Sequence, residues 1–485
     1  MTGPDGGRVR VAIVGAGFAG IGTALRLRAE GVDSFVVLER GDSVGGTWRD
    51  NRYPGVACDV PAHLYCFSFL PNPAFSSRFA PGAEIRAYLE SAADPIRGHL
   101  RLGTTVEGAD WAGDHWVLRT SGGTVEADAL VMACGRLTEP MLPDVPGDFG
   151  GALFHSSRWD ERVDLAGARV AVVGTGASAV QLVPHVARQA ASVVVMQRTA
   201  SYVLPRDDHS YSPAERTRFA ERPEELAALR SATYLEGERL YESRVADDAA
   251  RALARDRALD HLSAQVADPL LRAALRPDHE FGCKRVLFSD DYYPTLAQPH
   301  VLVTGPLAAY EPGGVVDADG TRHDVDVVVL ATGFHSTRQP YARLVRGRGG
   351  VTLDEHWAGG MQAYASTTVH GFPNLFVLDG PNASLSHNSA VLMIEAQIEY
   401  VLGALRFVED GGVLEVGARA EREYAAEMAR RSTGRAWVSG CANAYVDPRS
   451  GRQVLLWPGR VDEFHERLAV FDPAPYAVEP VGACR

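Results

Sequence analysis

Glu39 and Arg198 stand at the same place in two copies of one pattern, and they carry opposite charges. The first copy reads VRVAIV, GAGFAG, IGTALRLRAE and SFVVLE; Gly15, Gly17 and Gly20 have GxGxxG spacing, and Glu39 lies 19 residues past Gly20. The second reads RVAVV, GTGASA, AVQLVPHVARQA and SVVVMQR; Gly174, Gly176 and Ala179 have GxGxxA spacing, and Arg198 lies 19 residues past Ala179. In such a turn the first glycine permits the bend and the second lets backbone approach a pyrophosphate. The third small residue lets helix and strand pack closely, and the first N–H groups of the helix face the phosphates. A carboxylate at the strand end accepts hydrogen bonds from a ribose 2′-OH, whereas a guanidinium there suits a 2′-phosphate. The first site therefore predicts FAD or NAD and the second NADP. Two such sites in one chain predict a hydride relay from NADPH to a bound flavin. Val44-Gly45-Gly46-Thr47-Trp48 adds a further glycine turn after Glu39, where backbone can meet a cofactor, and this favours FAD at the first site.

A second kind of candidate lies between the copies. FGGALFHSSRWD (149–160) holds Gly151, His155 and Trp159 at intervals of four. That period fits one face of a helix, but Gly150-Gly151 and Ser156-Ser157 argue against a stable one. The stretch is expected instead to be a junction between the two units. Its glycines would supply freedom to bend, and His155 and Trp159 would be anchors.

The elements that must position these residues read as α/β: two Rossmann-like dinucleotide-binding domains, for FAD and NADP, with a helical insertion in the NADP domain. The expected FAD domain comprises 1–148 and 336–485. The expected NADP domain comprises 149–212 and 280–335, interrupted by the insertion at 213–279. That insertion is rich in Ala, Arg, Glu, Asp and Leu, and its charges are expected on a solvated face. Strand signals resume at HVLVTG and DVDVVVLATGF, and VLMIEAQIEYVLGALRFVEDGG reads as a long helix.

Bulk properties narrow the function. The 485 residues are 46% hydrophobic and 22% charged, an ordinary globular composition. A net charge of -13 disfavours nonspecific binding to nucleic acid or anionic membrane. No apolar run approaches the ~20 residues a bilayer span needs. Cys58, Cys66, Cys134, Cys283, Cys441 and Cys484 are scattered without a CxxC pair, which predicts a reducing cytoplasm and neither a zinc site nor a dithiol redox centre.

Taken together these residues resemble the Baeyer–Villiger monooxygenases, a branch of the flavin-containing monooxygenases. Their fingerprint, FxGxxxHxxxW followed by Pro or Asp, is met by Phe149, Gly151, His155, Trp159 and Asp160. The likeness extends to RYPGVACD (52–59), QRT (197–199), GCKR (282–285), LATGF (330–334), GPN (380–382) and His387-Asn388. It implies FAD and NADPH as cofactors and a ketone and O2 as substrates, in a monomer or small homo-oligomer. The product would be an ester or lactone, formed through a flavin peroxide. It also implies that Arg198, Thr199 and Lys284 hold the NADP 2′-phosphate. Arg285 would be the catalytic arginine near the flavin, Asp59 its partner, and His155 a linker residue coupling cofactor position to turnover.

A permanently charged guanidinium suits that chemistry, because it stabilises both an anionic oxidant and the alkoxide formed on attack. A carboxylate beside it holds it in place and offsets its desolvation. In an extended segment Lys284 and Arg285 would point in opposite directions, one to the phosphate and one to the flavin. Plainer readings stand beside these: a surface basic pair at 284–285, a loop cap at Asp59, a structural His155. Trp437 and Trp457 read either as packing or as active-site lining. The competing reaction is sulfur or nitrogen oxygenation with the same cofactors. Disulfide reduction would need a redox-active cysteine pair, which the spacing does not offer, and a non-enzymatic nucleotide sensor would not need Asp59, His155, Lys284 and Arg285 together.

Overall fold

Val9–Val14 lies inside an eight-stranded sheet, parallel to Phe35–Leu38 on one side and Gly123–Met132 on the other. The structure is a computed structural model that describes residues 7–408 and 412–479. Apart from Arg10, whose guanidinium reaches the Leu405 carbonyl, the strand is apolar because both faces are covered. Val11 and Ile13 pack with the helices Phe18–Ala29 and Ala390–Phe407, and Ala12 packs on the opposite face with Trp116, Trp357 and Leu375. Gly123–Met132 also pairs with Leu375–Val377, so the C-terminal part of the chain returns to the sheet that the N-terminus began.

The second sheet has five strands, all parallel, in the order Val301–Thr304, Ser192–Met196, Arg169–Val173, Val327–Leu330, Ala152–His155. Helix Ala177–Ala187 covers it through Val180 and Val183, which meet Val170, Val172, Val193 and Val195. Here one expectation is corrected. The stretch read as a bending junction contains an edge strand, with His155 opposite Leu330. Its glycines serve close contact: a Cβ on Gly151 would lie 2.4 Å from the Asp326 carbonyl oxygen, and one on Gly150 2.6 Å from that of Pro312. Backbone passes too near backbone for a side chain.

Residues 213–279 form the helices Pro213–Glu221, Pro223–Tyr241, Asp248–Gln265 and Pro269–Ala274. The first starts at a capping box between Ser212 and Glu215, with Pro213 opening the helix where its missing N–H costs nothing. A π-helical turn, Glu242–Ala246, joins the second and third. The expectation of a wholly solvated charged face fails at three residues, because Glu238, Arg244 and Arg251 are buried. Each has a specific use: Arg251 pairs with Glu280 at 3.0 Å, Glu238 accepts from Asn388 at 2.9 Å, and Arg244 reaches the site described below.

The cysteine reading also changes. Cys283 and Cys441 form a disulfide with Cα atoms 6.4 Å apart, across 158 residues of sequence. Spacing rules see only neighbours and miss a pair made by folding. Cys58, Cys66 and Cys134 are free, and Cys484 lies outside the described residues. Among the described residues no helix is long and apolar enough to cross a membrane.

Candidate active site

The first glycine turn opens onto a cavity of about 450 Å³ lined by Gly15, Gly17, Glu39, Gly46, Thr47 and Trp48, among others. Gly15 has φ +106° and a Cβ there would sit 2.6 Å from the Ala133 carbonyl oxygen, so neither conformation nor space admits another residue. Gly20 packs its helix directly on that turn. Gly17 ends the turn as N-cap of Phe18–Ala29, and Gly46, N-cap of Thr47–Asp50, faces it: a Cβ on Gly46 would lie 3.1 Å from Gly17 Cα. Two bare glycine turns facing one cavity form a cradle whose walls are backbone, which is what a pyrophosphate-linked cofactor needs. Glu39 is buried and held from three sides. Its carboxylate accepts the Ala16 and Gly41 N–H groups, each at 2.8 Å, and Arg49 Nη1 at 2.6 Å. Trp48 is buried and meets Tyr65 edge-on at 5.6 Å. Across the cavity Arg136 donates to both oxygens of Asp379, at 2.8 and 2.7 Å.

The second turn is open. Gly176 caps helix Ala177–Ala187, and a Cβ on it would meet nothing within 4 Å. The strand-end loop is fastened to it by hydroxyl groups: Thr175 Oγ1 donates to the Thr199 carbonyl at 2.7 Å and Ser201 Oγ to the Thr175 carbonyl at 2.8 Å. Arg198 is thereby held at the mouth of the turn, exposed, and among the described residues it makes no ion pair. Lys284 comes up beside it. Burial, and then the Arg198 charge, pull the Lys284 pKa below the ordinary lysine value. Arg198, Thr199 and Lys284 thus converge from two separate segments, an arrangement that fits a phosphate.

Asp59 and Arg285 meet at the seam between these halves. The loop leading to Asp59 packs on helix Ala177–Ala187, where Tyr53 Oη donates to Gln181 Oε1 at 2.9 Å and Gln181 Nε2 to the Ala57 carbonyl at 3.0 Å. Arg285 Nε and Nη2 both donate to Asp59 Oδ2, at 2.9 and 2.6 Å. Nη1 makes no hydrogen bond among the described residues. The two side chains are 36% and 33% exposed, surrounded by protein yet open along one side. Burial pushes Asp59 up, but the Arg285 guanidinium outweighs it, so the carboxyl ends below its ordinary value. Asp59 in turn holds the Arg285 pKa above its ordinary value. The 283–284 segment is a bend and not an extended chain; Lys284 lies near the Arg198 charge, whereas Arg285 takes Asp59.

Sequence reasoning missed two groups at this seam. Arg244, on the π-helical turn, is buried, donates to the Ser386 carbonyl, and lies over the Phe288 ring at 5.2 Å. Burial, and then the like charge of Arg285, lower its pKa to about 10, so it stays a cation at neutral pH. Tyr445 is close enough to Arg285 and Arg244 for its phenol to feel both charges. The π turn, rare and common at functional sites, has no sequence signature. Arg49, which holds Glu39, directly follows Trp48 in the sequence.

His155 does not touch Asp59 or Arg285. It is buried at the end of its strand, accepts the Ser157 N–H at Nδ1 (3.1 Å), and meets Phe334 of LATGF edge-on at 5.3 Å. Burial lowers its pKa to about 4, so it is neutral. Trp159 meets Phe154 edge-on at 5.1 Å. Trp457 is packing: it is buried, donates to the Arg460 carbonyl at 2.8 Å, and carries Arg431 and Arg467 over its ring. Trp437 is buried with Tyr241, Val245 and Leu456. His387 and Asn388 close on Glu238, tying the tail to the helical region.

Known proteins share this construction. Residues 12–252 match the family model described as pyridine nucleotide-disulphide oxidoreductase. A Baeyer–Villiger monooxygenase of Streptomyces coelicolor is 43% identical over 481 residues, covering 97% of this chain and 92% of its own length. One of Pseudomonas aeruginosa is 41% identical over 96% of this chain and 91% of its own length. The crystal structure of OTEMO in complex with FAD and NADP matches with a TM-score of 0.87 at 26% identity, over 97% of this chain and 99% of that one.

Proposed function

Because the chain belongs to the Baeyer–Villiger monooxygenases, we propose that Arg285, held by Asp59, is the group that acts on the ketone. The protein is an NADPH-dependent flavoprotein monooxygenase that uses FAD and O2 to insert one oxygen atom beside a ketone carbonyl, giving an ester or lactone. Sulfur or nitrogen oxygenation is not favoured, since both relatives carry the ketone-oxygenase name.

In this reading FAD would lie in that cavity, along Gly15, Gly17, Gly46, Thr47 and Trp48, with Glu39 toward its ribose and Gly20 packing the helix behind the turn. NADP lies along Gly174 and Gly176, with Arg198, Thr199 and Lys284 at its 2′-phosphate. Bound FAD, reduced by NADPH, supplies the activation of O2. The chain supplies orientation and charge. Asp59 takes two N–H groups of Arg285 on one oxygen, which fixes the guanidinium plane and leaves Nη1 for the carbonyl oxygen as it becomes negative. Arg244 adds a second cation against the one carboxylate, and the surplus positive charge favours an anion at the seam. His155, neutral and wedged against Phe334, is a positioning residue that fixes the edge of the NADP-side sheet. The division into 1–148 with 336–485 and 149–212 with 280–335, around an insertion at 213–279, is supported by the two sheets drawing their strands from those segments.

The single observation that carries the assignment is the two-point Arg285–Asp59 pair at the seam of two dinucleotide turns. The test is Arg285→Ala. The variant is expected to take up FAD and let NADPH bleach it, yet form no ester from a ketone. Ester formation at the wild-type rate would remove Arg285 from the mechanism.

A further inference from the structure

Cys283 directly precedes Lys284 and Arg285, and its bond to Cys441 runs into the same tail segment that brings Tyr445 to the seam. The disulfide therefore fastens the loop bearing the guanidinium to the C-terminal part of the chain. Cys283 is buried, whereas Cys441 is partly exposed. Asn443 sits over the pair: its Nδ2 is 3.6 Å from Cys283 Sγ and 3.8 Å from Cys441 Sγ, and it donates to the Trp437 carbonyl at 2.8 Å. That amide folds the tail back on itself through contacts that do not depend on the S–S bond. With the bond present, Arg285 keeps both hydrogen bonds to Asp59.

We propose that Cys283 and Cys441 are a reversible redox site, oxidised by hydrogen peroxide, that locks the Arg285 loop in its assembled position. The oxidant is a by-product of the oxygen chemistry proposed above: NADPH, a proton and O2 give NADP⁺ and hydrogen peroxide whenever oxygenation fails. The Cys441 sulfur, as thiolate, attacks one peroxide oxygen; the O–O bond breaks, one water leaves and a sulfenic acid remains. The Cys283 sulfur then attacks the Cys441 sulfur, the S–O bond breaks and a second water leaves. Two thiols and one peroxide become one disulfide and two waters. A cellular dithiol restores the pair by exchange. The sulfur of partly exposed Cys441 reacts first and that of buried Cys283 resolves it, as their burial dictates. The consequence is self-correction: an enzyme that wastes NADPH makes the bond that steadies its own arginine.

The test uses full-length, FAD-loaded protein, reduced with dithiothreitol, desalted and treated with hydrogen peroxide. Thiols are alkylated in denaturant and the digest is read by mass spectrometry. A linked Cys283–Cys441 peptide is expected, lost again on reduction, with Cys58, Cys66 and Cys134 alkylated throughout. Peroxide released per NADPH in the presence of a ketone is expected to fall by about threefold on oxidation, modest beside the ~100-fold that 1 Å of misplacement costs. Cys441→Ser, a safer variant than one at buried Cys283, is expected to fold, behave as the reduced wild type and ignore peroxide. Free Cys283 and Cys441 after treatment would overturn the proposal. So would a linked peptide with peroxide release no different from that of Cys441→Ser. The peptide readout needs no ketone turnover, so a failure of the proposed ketone reaction is told apart from a failure of the switch.

Discussion

The two glycine-turn units share one plan and hold their strand-end charges in opposite ways. Glu39 is buried and bonded to two backbone N–H groups and to Arg49. Arg198 is exposed at the mouth of its turn and, among the described residues, pairs with no carboxylate. A charge already bonded in the cavity wall suits a ligand that stays, because the site is complete before the ligand arrives. An exposed cation suits a ligand that comes and goes, because it gives up little on release. In the proposed reading the same fold element would serve a resident cofactor and a travelling one, and the difference lies in how the charge at one offset is solvated.

The comparison is broken most severely at Glu39. Glu39→Ala takes from buried Arg49 one of its two carboxylates, Asp50 remaining at 2.7 Å, and leaves the Ala16 and Gly41 N–H groups without their acceptor, a change expected to cost about 1–3 kcal/mol. The variant should purify colourless with a lowered Tm; a yellow protein of normal Tm would refute the pre-bonded picture. At the other site Arg198→Ala should fold normally and keep its flavin. Its KM for NADPH should rise about 10- to 100-fold, the scale of a charge-assisted hydrogen bond, while its KM for NADH hardly moves. Equal changes for both nucleotides would deny Arg198 the 2′-phosphate.

His155→Ala tests whether the sheet edge matters to chemistry. Flavin content should be retained while the share of NADPH that ends as ester falls on the order of tenfold. Unchanged coupling would leave His155 as packing alone. The smallest effect concerns Lys284. Burial and Arg198 disfavour its ammonium form, so its charge is lost at lower pH than in an ordinary lysine, and NADPH affinity should decline as pH rises through that lowered pKa. Across the alkaline range KM should change about two- to fivefold, the scale of a partly exposed ion pair. In Arg198→Ala the inflection should move to higher pH, and an inflection that stays put would show that Lys284 does not feel Arg198.

What was legible in the sequence follows the same division between local and distant. Glycine turns, apolar strands and the charges at 39 and 198 are local, since each needs only its neighbours to be recognised. His155 was legible as a residue but not as a place: four-residue periodicity and paired glycines hid an edge strand whose partner, Val327–Leu330, lies far along the chain. Arg244, Tyr445 and the Cys283–Cys441 pair were invisible for the same reason. A buried cation on a charged helical segment looks like any solvated arginine until the seam it enters has formed. Asp59 and Arg285 were found only by resemblance; nothing in their spacing announces an ion pair closed across 226 positions.

The order of strands has a bearing on how the chain is made. The five-stranded sheet is complete once residue 330 has been synthesised, whereas the eight-stranded sheet still lacks Val345–Arg346 and Leu375–Val377. Emerging from the ribosome, the inner sheet can close first, and it brings its two ends together, since Ala152–His155 and Val327–Leu330 are adjacent strands. That closure shortens the effective loop between Gly123–Met132 and Leu375–Val377 and lowers the entropy cost of their pairing. The five-stranded half is thereby placed to act as the folding scaffold of the eight-stranded half.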